Sequence, residues 1–372
     1  MPDRKSGLFT NYDYPLVIST MLISALGIVF ITSAVKSFDS NYKLILIQSV
    51  ALLLGFITMN ILMLVDYQEL SKLTIFLYGF GLLLLILVLT PLGTGLTETG
   101  GQSWFRFGGI GLQPAEIVKI IFIITFSYHL SQVKDSINEL KTFLVLMAHV
   151  GIILGLILLQ PDLGTALVFV FMFLVMAFVA GLSYKYYLVL FGLAAGAAPI
   201  VWFSGLMKDY QKSRILAVFK PEQFAQNYGY QVVQSKIAIG SGGIFGKGYF
   251  KGTQTQLEIL PAKQTDFIFG VIGEEFGLIG CLIVIAILFY IIFRILKIGK
   301  SASDDIGRFI CIGAASMLIF QIFENIGMCL GIMPVVGITL PFLSYGGSSL
   351  LANLAIIGFI LNVKRRSRSV NG

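Results

Sequence analysis

Charge is scarce in this sequence: Asp, Glu, Lys and Arg make up 12% of its 372 residues, about half the usual share in soluble globular proteins. The scarcity excludes the two or three soluble domains that length alone would suggest. Cysteine is also rare. Cys281, Cys311 and Cys329 all sit in apolar runs, and an odd number without regular spacing excludes a disulfide framework. The two histidines, His129 and His149, read as a membrane-edge residue and a packed interior one rather than as ligands. No metal-spaced His or Cys set, Walker loop or nucleophile elbow occurs. There is no repeat of 20–50 residues and, apart from the short termini, no stretch that reads as disordered.

Apolar side chains are what the chain has in abundance, at 56%. They fall into ten runs between polar breaks, at 15–34, 44–64, 73–90, 115–130, 142–159, 163–181, 186–204, 267–293, 306–331 and 348–363, each read as a membrane crossing. The polar start, Met1 to Tyr14, leads into a run with no small-residue cleavage site behind it, so the first run reads as a retained span and not a signal peptide. The expected fold is an all-α polytopic membrane protein with ten transmembrane helices in a single domain, 1–372.

An even number of crossings puts both termini on one side. Assigning them to the cytoplasm places Arg4, Lys5, Lys72, Lys134, Lys141, Lys185, Arg294, Lys297, Lys300, Arg308, Lys364, Arg365, Arg366 and Arg368 inside. The short outer loops then keep only Lys36, Lys43 and Arg106, as the positive-inside rule expects. The tail KRRSR reads as a topology anchor beside anionic lipid, not as a nucleic-acid patch.

Two outer connections are too long for simple turns. Pro91 to Pro114 is glycine-rich and carries Trp104 and Arg106. The second, 205–265, is an extracytoplasmic loop between helices 7 and 8. It is basic, with Lys208, Lys212, Arg214, Lys220, Lys236, Lys247, Lys251 and Lys263 against Asp209, Glu222 and Glu258. Within it Ser213 is placed to cap a short helix, Arg214 to Phe219, stopped by Pro221, and Tyr228 to Ile239 has the spacing of a helix on the membrane surface. The segment GSGGIFGKGYFKGT is expected as irregular backbone in a sheltered cavity.

Ionisable groups at membrane depth are costly, so each is a functional candidate. Glu116 and Lys119 lie three apart at the start of the fourth span, where a plain ion pair and an anion-holding lysine are equally good readings. Asp162, in the outer turn QPDLG, reads first as a turn or cap residue, and Trp104 as an interfacial aromatic. Glu274 and Glu275 diverge by about 100° on a helix, so at least one needs a partner away from its neighbour's face. Glu324 is buried in the ninth span. Asp266, Gly270, Gly273, Gly277 and Gly280 follow a 4-3-4-3 spacing, which predicts one stripe facing a neighbouring helix. Asp266 would then open the eighth span, with Thr265 as its cap, either as a dipole-favoured carboxylate or as a catalytic one.

Four blocks, GGQSWFRFGGIGLQPAEIVK (100–119), LQPDLGTAL (159–167), IAIGSGGIFGKGYFKGTQTQLEILPAKQTDFIFGVIGEEFGLIG (237–280) and NIGMCLGIMPVVGITLPFLSYGGSSL (325–350), resemble the signature blocks of the SEDS family (shape, elongation, division and sporulation), in order through all ten spans. The run GTQTQLE (252–258) resembles the elongation branch more than the division branch. The resemblance implies a peptidoglycan glycosyltransferase in the bacterial cytoplasmic membrane, its active site facing outward. Such an enzyme joins lipid II, carried on undecaprenyl pyrophosphate, into glycan strands for elongation and rod shape. The implied partners are a class B penicillin-binding transpeptidase and other membrane proteins of the elongation complex.

The family's essential aspartate maps onto Asp266, its lysine after the QPAE block onto Lys119, the first-loop tryptophan onto Trp104 and the QPD aspartate onto Asp162. Ala262 and Gln264 depart from the Glu and His often found before the TDF motif, and Ala115 stands where Ser is common. A transfer whose leaving group is already a pyrophosphate needs chiefly one base for the acceptor hydroxyl. Asp266 is the expected base of an inverting reaction. Lys119, Lys263 and Arg106 are the expected cations for the diphosphate, with or without a divalent ion such as Mg2+ or Mn2+. Glu116, Trp104, Asp162 and Thr265 complete the expected substrate site. The rival readings are a lipid II flippase or transporter, a scaffold that recruits other wall enzymes, and a division or sporulation member of the same family.

Overall fold

The computed structural model describes residues 12–38, 41–94, 102–107, 110–205, 207, 209–219 and 228–367. Arg4, Lys5, Lys208, Lys220, Pro221, Glu222 and Arg368, which entered the reading above, lie outside the described residues. In chain order the elements are α1 (Tyr14–Ala34), α2 (Asn41–Leu64), α3 (Tyr67–Lys72), α4 (Thr74–Val88), β1 (Phe105–Phe107), β2 (Ile110–Leu112), α5 (Pro114–Val133), α6 (Leu140–Leu159) and α7 (Leu163–Val179). They continue with α8 (Tyr184–Phe203), α9 (Asp209–Phe219), α10 (Tyr228–Gly242), α11 (Thr253–Gln256), α12 (Ile268–Lys300), α13 (Asp305–Cys329) and α14 (Gly347–Ser367). Among the described residues eight helices, α1, α2, α5, α6, α8, α12, α13 and α14, are long and apolar enough to cross a membrane; α4 and α7 are apolar but shorter.

Helix ends are fixed by acidic caps. Asp13 accepts the Leu16 amide of α1 at 3.1 Å and pairs with Arg294 of α12 at 2.6 Å. Asp162 caps α7 through Thr165, and Asp304 caps α13 through Gly307. Pro114 starts α5, at the position where its missing N–H costs nothing. Between these ends α13 is the axle of the bundle, packed against α5, α7, α10, α12 and α14, while α14 runs along α2. At the other extreme α8 buries none of its residues.

The loop regions differ from expectation in detail. Helix α9 begins at Asp209, so Ser213 lies inside it and not at its start. Helix α10 runs on to Gly242 and packs against α12 and α13, with Ser235 Oγ donating to the Cys329 carbonyl at 2.9 Å.

The 33-residue α12 is broken at Gly277, whose φ of 66° and ψ of −162° belong to a region open only to glycine. The expected glycine stripe therefore divides. Gly270 and Gly273 face Ser235 and Ile239 of α10, Gly277 is the break itself, and Gly280 abuts Phe276 of its own helix. The break frees main-chain groups that the glycine-rich loop takes up. Lys247 N and Gly248 N donate to the Glu274 and Glu275 carbonyls, both at 3.0 Å, and Leu278 N and Ile279 N donate back to Gly243 O at 2.9 Å and Ile244 O at 3.2 Å. The approach is close enough that a Cβ on Gly242 would stand 1.9 Å from the Gly273 carbonyl.

Glu274 and Glu275 complete the same junction from diverging faces. Glu274 pairs with Lys247 at 2.8 Å and accepts the Gln254 amide and both the amide and hydroxyl of Thr255. Glu275 accepts from Ser33 Oγ at 2.7 Å and Gln256 Nε2 at 3.2 Å. Both carboxylates are structural ties for the loop that leads into Asp266.

Substituting Gly277→Ala forces a Cβ into a glycine-only conformation and against Gly246 N at 2.4 Å and Ile244 O at 2.5 Å. The expected result is a loss of about 1–3 kcal/mol, read as a lower thermal midpoint in detergent. An unchanged midpoint would mean that the break relaxes without cost.

Candidate active site

Asp266 lies in the turn that precedes α12, not on the helix. Its carboxylate is therefore placed by turn geometry rather than by helical periodicity, and the helix cap is Phe267, with no side-chain hydrogen bond. The turn closes on Ala262, whose carbonyl accepts Thr265 N at 3.1 Å and Phe267 N at 3.2 Å. Ala262 itself has φ +47°, and Glu258 and Phe342 nearby in the same two segments have φ +59° and +67°. Left-handed backbone at non-glycine residues is held only where the surroundings over-determine it.

The surroundings here are the α13–α14 connection. Asn325 Nδ2 donates to the Asp266 carbonyl at 2.8 Å and to the Ile338 carbonyl at 2.7 Å. Ser344 Oγ donates to Thr265 O at 2.6 Å while accepting Leu340 N at 2.8 Å. Tyr345 N donates to Gln264 O at 2.8 Å. Gln48 of α2 holds the connection from behind, through the Ser344 carbonyl and the Gly346 amide. The Asp266 main chain is thus tied on both sides while the residue as a whole is half-buried, with Oδ2 near Gly337.

Burial pushes the Asp266 carboxyl up to about 6, against the opposing pull of the Thr265 hydroxyl and the Arg214 charge. A carboxylate with that value is ionised near neutrality yet basic enough to take a proton from a sugar hydroxyl as it attacks. The cation acting on it comes from α9, a residue that sequence reasoning placed in a short helix without a role.

A second polar group stands at the start of α5. Glu116 and Lys119 form an ion pair of 2.8 Å, both side chains at or below 8% exposed. Asp162 lies within electrostatic reach of both. Burial raises the Asp162 carboxyl, opposed chiefly by hydrogen bonds from the Thr165 amide and hydroxyl. Gln113 Nε2 donates to Asp162 at 3.0 Å and so links the QPA and QPD turns. The two polar groups meet the same irregular segment, 334–340: Gly164 packs against Val336 and Ile338 on one side, and Asn325 ties Ile338 to Asp266 on the other.

The remaining expected residues fall in two places. Trp104 pairs with Thr94 through both main-chain groups, and its ring lies over Gly111 of β2. Arg106 is exposed on β1, opposite Gly111, and this hairpin rests on α14. Lys263 points elsewhere: its ammonium donates to Ser37 Oγ at 2.9 Å and Thr255 O at 2.6 Å and lies over the Phe38 ring. Burial lowers its pKa. Its hydrogen bonds tie the segment between α11 and α12 to the α1–α2 connection and to Thr255 of α11, so the structure does not bring Lys263 to Asp266. Thr265 acts on the Asp266 carboxylate and on the Ala262 carbonyl rather than as a helix cap.

Asn325, Ser344, Gln48, Gln113, Thr165 and Arg214 are the contributors that residue-by-residue reading did not single out. Gln113 and Thr165 flank the QPA and QPD words, and Ser344 lies in SYGGSS, so their blocks were visible. Thr165 acts locally, three residues from Asp162, whereas Gln113, Asn325, Ser344 and Gln48 reach Asp162, Asp266, Thr265 and Gly346 across 49 to 298 residues, for which the chain carries no local signal. Among the described residues no three His, Cys, Asp or Glu side chains gather as a metal-binding set.

The chain is similar to known proteins over nearly its whole length. The family model for the FtsW, RodA and SpoVE cell cycle proteins matches residues 14–369. A probable peptidoglycan glycosyltransferase FtsW of Geobacter metallireducens is 35% identical over 364 residues, covering 96% of each chain. The peptidoglycan glycosyltransferase MrdB of Escherichia coli is 39% identical over 292 residues, covering 77% of this chain and 78% of its own. A solved chain from a peptidoglycan synthase complex that coordinates polymerization and crosslinking superposes with a TM-score of 0.81 at 33% identity, over 96% of this chain and 98% of that one. The chain belongs to the SEDS family of FtsW, RodA and SpoVE cell cycle proteins.

Proposed function

We propose that this protein is a peptidoglycan glycosyltransferase that polymerises lipid II at the outer face of the bacterial cytoplasmic membrane, with Asp266 as its base. The observation that carries the reading is a half-buried aspartate whose carboxyl is raised to about 6, on a turn whose main chain is tied by Asn325 and Ser344. The names of the relatives support the activity. The charge asymmetry supports ten crossings with both termini in the cytoplasm, α4 and α7 included, and 205–265 as the outer loop between the seventh and eighth crossings, α8 and α12.

In the reaction the acceptor hydroxyl loses its proton to Asp266 as its oxygen bonds to the anomeric carbon of the donor sugar. The bond from that carbon to the undecaprenyl diphosphate breaks on the opposite face, and the diphosphate leaves with the electron pair, so the configuration inverts. Arg214 of the basic loop acts electrostatically on the same carboxylate, which supports it as a cation for the developing diphosphate charge. Lys119, with donors left beyond its bond to Glu116, and Arg106 on the hairpin are the further cations, while Trp104 and Asp162 shape the α5 side of the site. The block GTQTQLE supports the elongation branch. The synthase complex of the structural relative supports a class B penicillin-binding transpeptidase as partner.

Lipid II polymerisation by the purified protein with its transpeptidase, in the presence of an inhibitor of contaminating penicillin-binding enzymes, tests the assignment. Asp266→Asn is expected to lose at least about 100-fold in rate with folding and partner binding kept. Equal polymerisation by wild type and variant would make Asp266 structural.

The ion pair separates structure from function in a second way. Lys119→Met alone leaves Glu116 buried and unpaired, a loss of about 3–5 kcal/mol. Glu116→Gln/Lys119→Met removes both charges and is expected to recover most of the thermal midpoint while polymerisation stays low. Recovery of activity together with stability would reduce the pair to a packing element.

A further inference from the structure

The far end of α12 from Asp266 holds a cavity of about 540 Å³ between α12 and α13 that the reaction does not use. Four charged residues line it: Lys300, Asp304, Asp305 and Arg308. The two acids are engaged within the protein. Asp304 caps α13 through Gly307 N and accepts from the Tyr67 hydroxyl and from Gln68 Nε2 at 2.9 Å. Asp305 pairs with Lys134 at 2.8 Å. Lys300 and Arg308 are exposed and, among the described residues, their side chains have neither an ion-pair nor a hydrogen-bond partner.

The cavity is open to an apolar flank. On α12 the residues preceding Lys300 on the same stripe are Leu296, Phe293 and Phe289, at 38%, 59% and 61% exposed. On α13 Arg308 is followed one turn deeper by Ile312 and two turns beyond by the exposed Ile319. Two unpaired cations at the mouth, with apolar stripes running away from them along both helices, match a phosphodiester head with acyl chains beneath it. A partner's acidic peptide would use the cations but leave the stripes without a role.

We infer that the cavity between the α12 C-terminus and the α13 N-terminus is a binding site for an anionic phospholipid, with Lys300 and Arg308 on its phosphate. The lipid rests against the α12–α13 pair and so stabilises the packing of the bundle at the end opposite the catalytic turn. Neither cation belongs to the reaction machinery, so the site can be removed without touching Asp266.

The full chain, purified in neutral detergent, is titrated with phosphatidylglycerol, with phosphatidylcholine, and with inorganic phosphate alone. Retained lipid is counted by native mass spectrometry and the thermal midpoint is followed in parallel. The wild type is expected to retain phosphatidylglycerol in preference to phosphatidylcholine and to be stabilised by it. Lys300→Gln/Arg308→Gln is expected to weaken that binding by roughly tenfold or more, with an unchanged midpoint in neutral detergent because the two side chains hold nothing else. A control, Lys141→Gln/Lys185→Gln, removes two exposed cations that do not line the cavity and should leave retention intact. Undiminished retention in the cavity variant, equal loss in the control, or the same stabilisation by inorganic phosphate alone would each overturn the inference.

Discussion

Main-chain groups released by a broken helix have no water to turn to within a bilayer, and the half of this protein that holds Asp266 is organised around satisfying them. At Gly277 the carbonyls of Glu274 and Glu275 and the amides of Leu278 and Ile279 find their partners in residues 243–248. The glutamate side chains then bind the continuation of that loop through Lys247, Thr255 and Gln256. Once the loop is held from both sides, the residues that follow it can be bent into the Ala262–Phe267 turn. The position of Asp266 is a consequence of this chain of hydrogen bonds.

The turn is also held from the other direction. The α13–α14 connection would be a liability at membrane depth if its amides and carbonyls were open. Asn325, Ser344 and Gln48 take several of them up and in doing so fix Thr265 and Asp266. The carboxylate stays reachable because the ties are made to its main chain. Low local polarity then raises its proton affinity, and the Thr265 hydroxyl and Arg214 limit the rise. One carboxylate in this state suffices for a transfer whose leaving group carries its own acid stability.

Much of this was legible in the chain. Sparse charge and apolar runs gave a helical membrane protein. The words around Gln113, Asp162 and Asp266 hold side chains that the structure ties into polar groups on either side of segment 334–340. Helical periodicity failed where the backbone stops being helical: the stripe from Asp266 to Gly280 crosses a turn at one end and a break at Gly277 within, so neither the register nor a Thr265 cap applies. Lys263 was grouped with the site by proximity in sequence, whereas in space it binds Ser37 and Thr255. Asn325 and Gln48 could not be singled out from sequence, since what they do depends on contacts across the bundle. The His129–His149 pair, with Nδ1 atoms 3.0 Å apart among Phe122 and Phe126, is likewise invisible in a chain that separates the two by twenty residues.

The most direct test of a base tuned by its turn is the pH dependence of lipid II polymerisation by the wild-type protein with its transpeptidase, measured from about pH 5 to 8. Protonation of Asp266 removes the base, so the rate should fall on the acid side with a midpoint near 6, and the midpoint should move when Arg214→Gln removes the opposing charge. Its direction is upward, because loss of a nearby cation favours the neutral acid. A rate flat across that range in both proteins, with folding intact, would contradict the account.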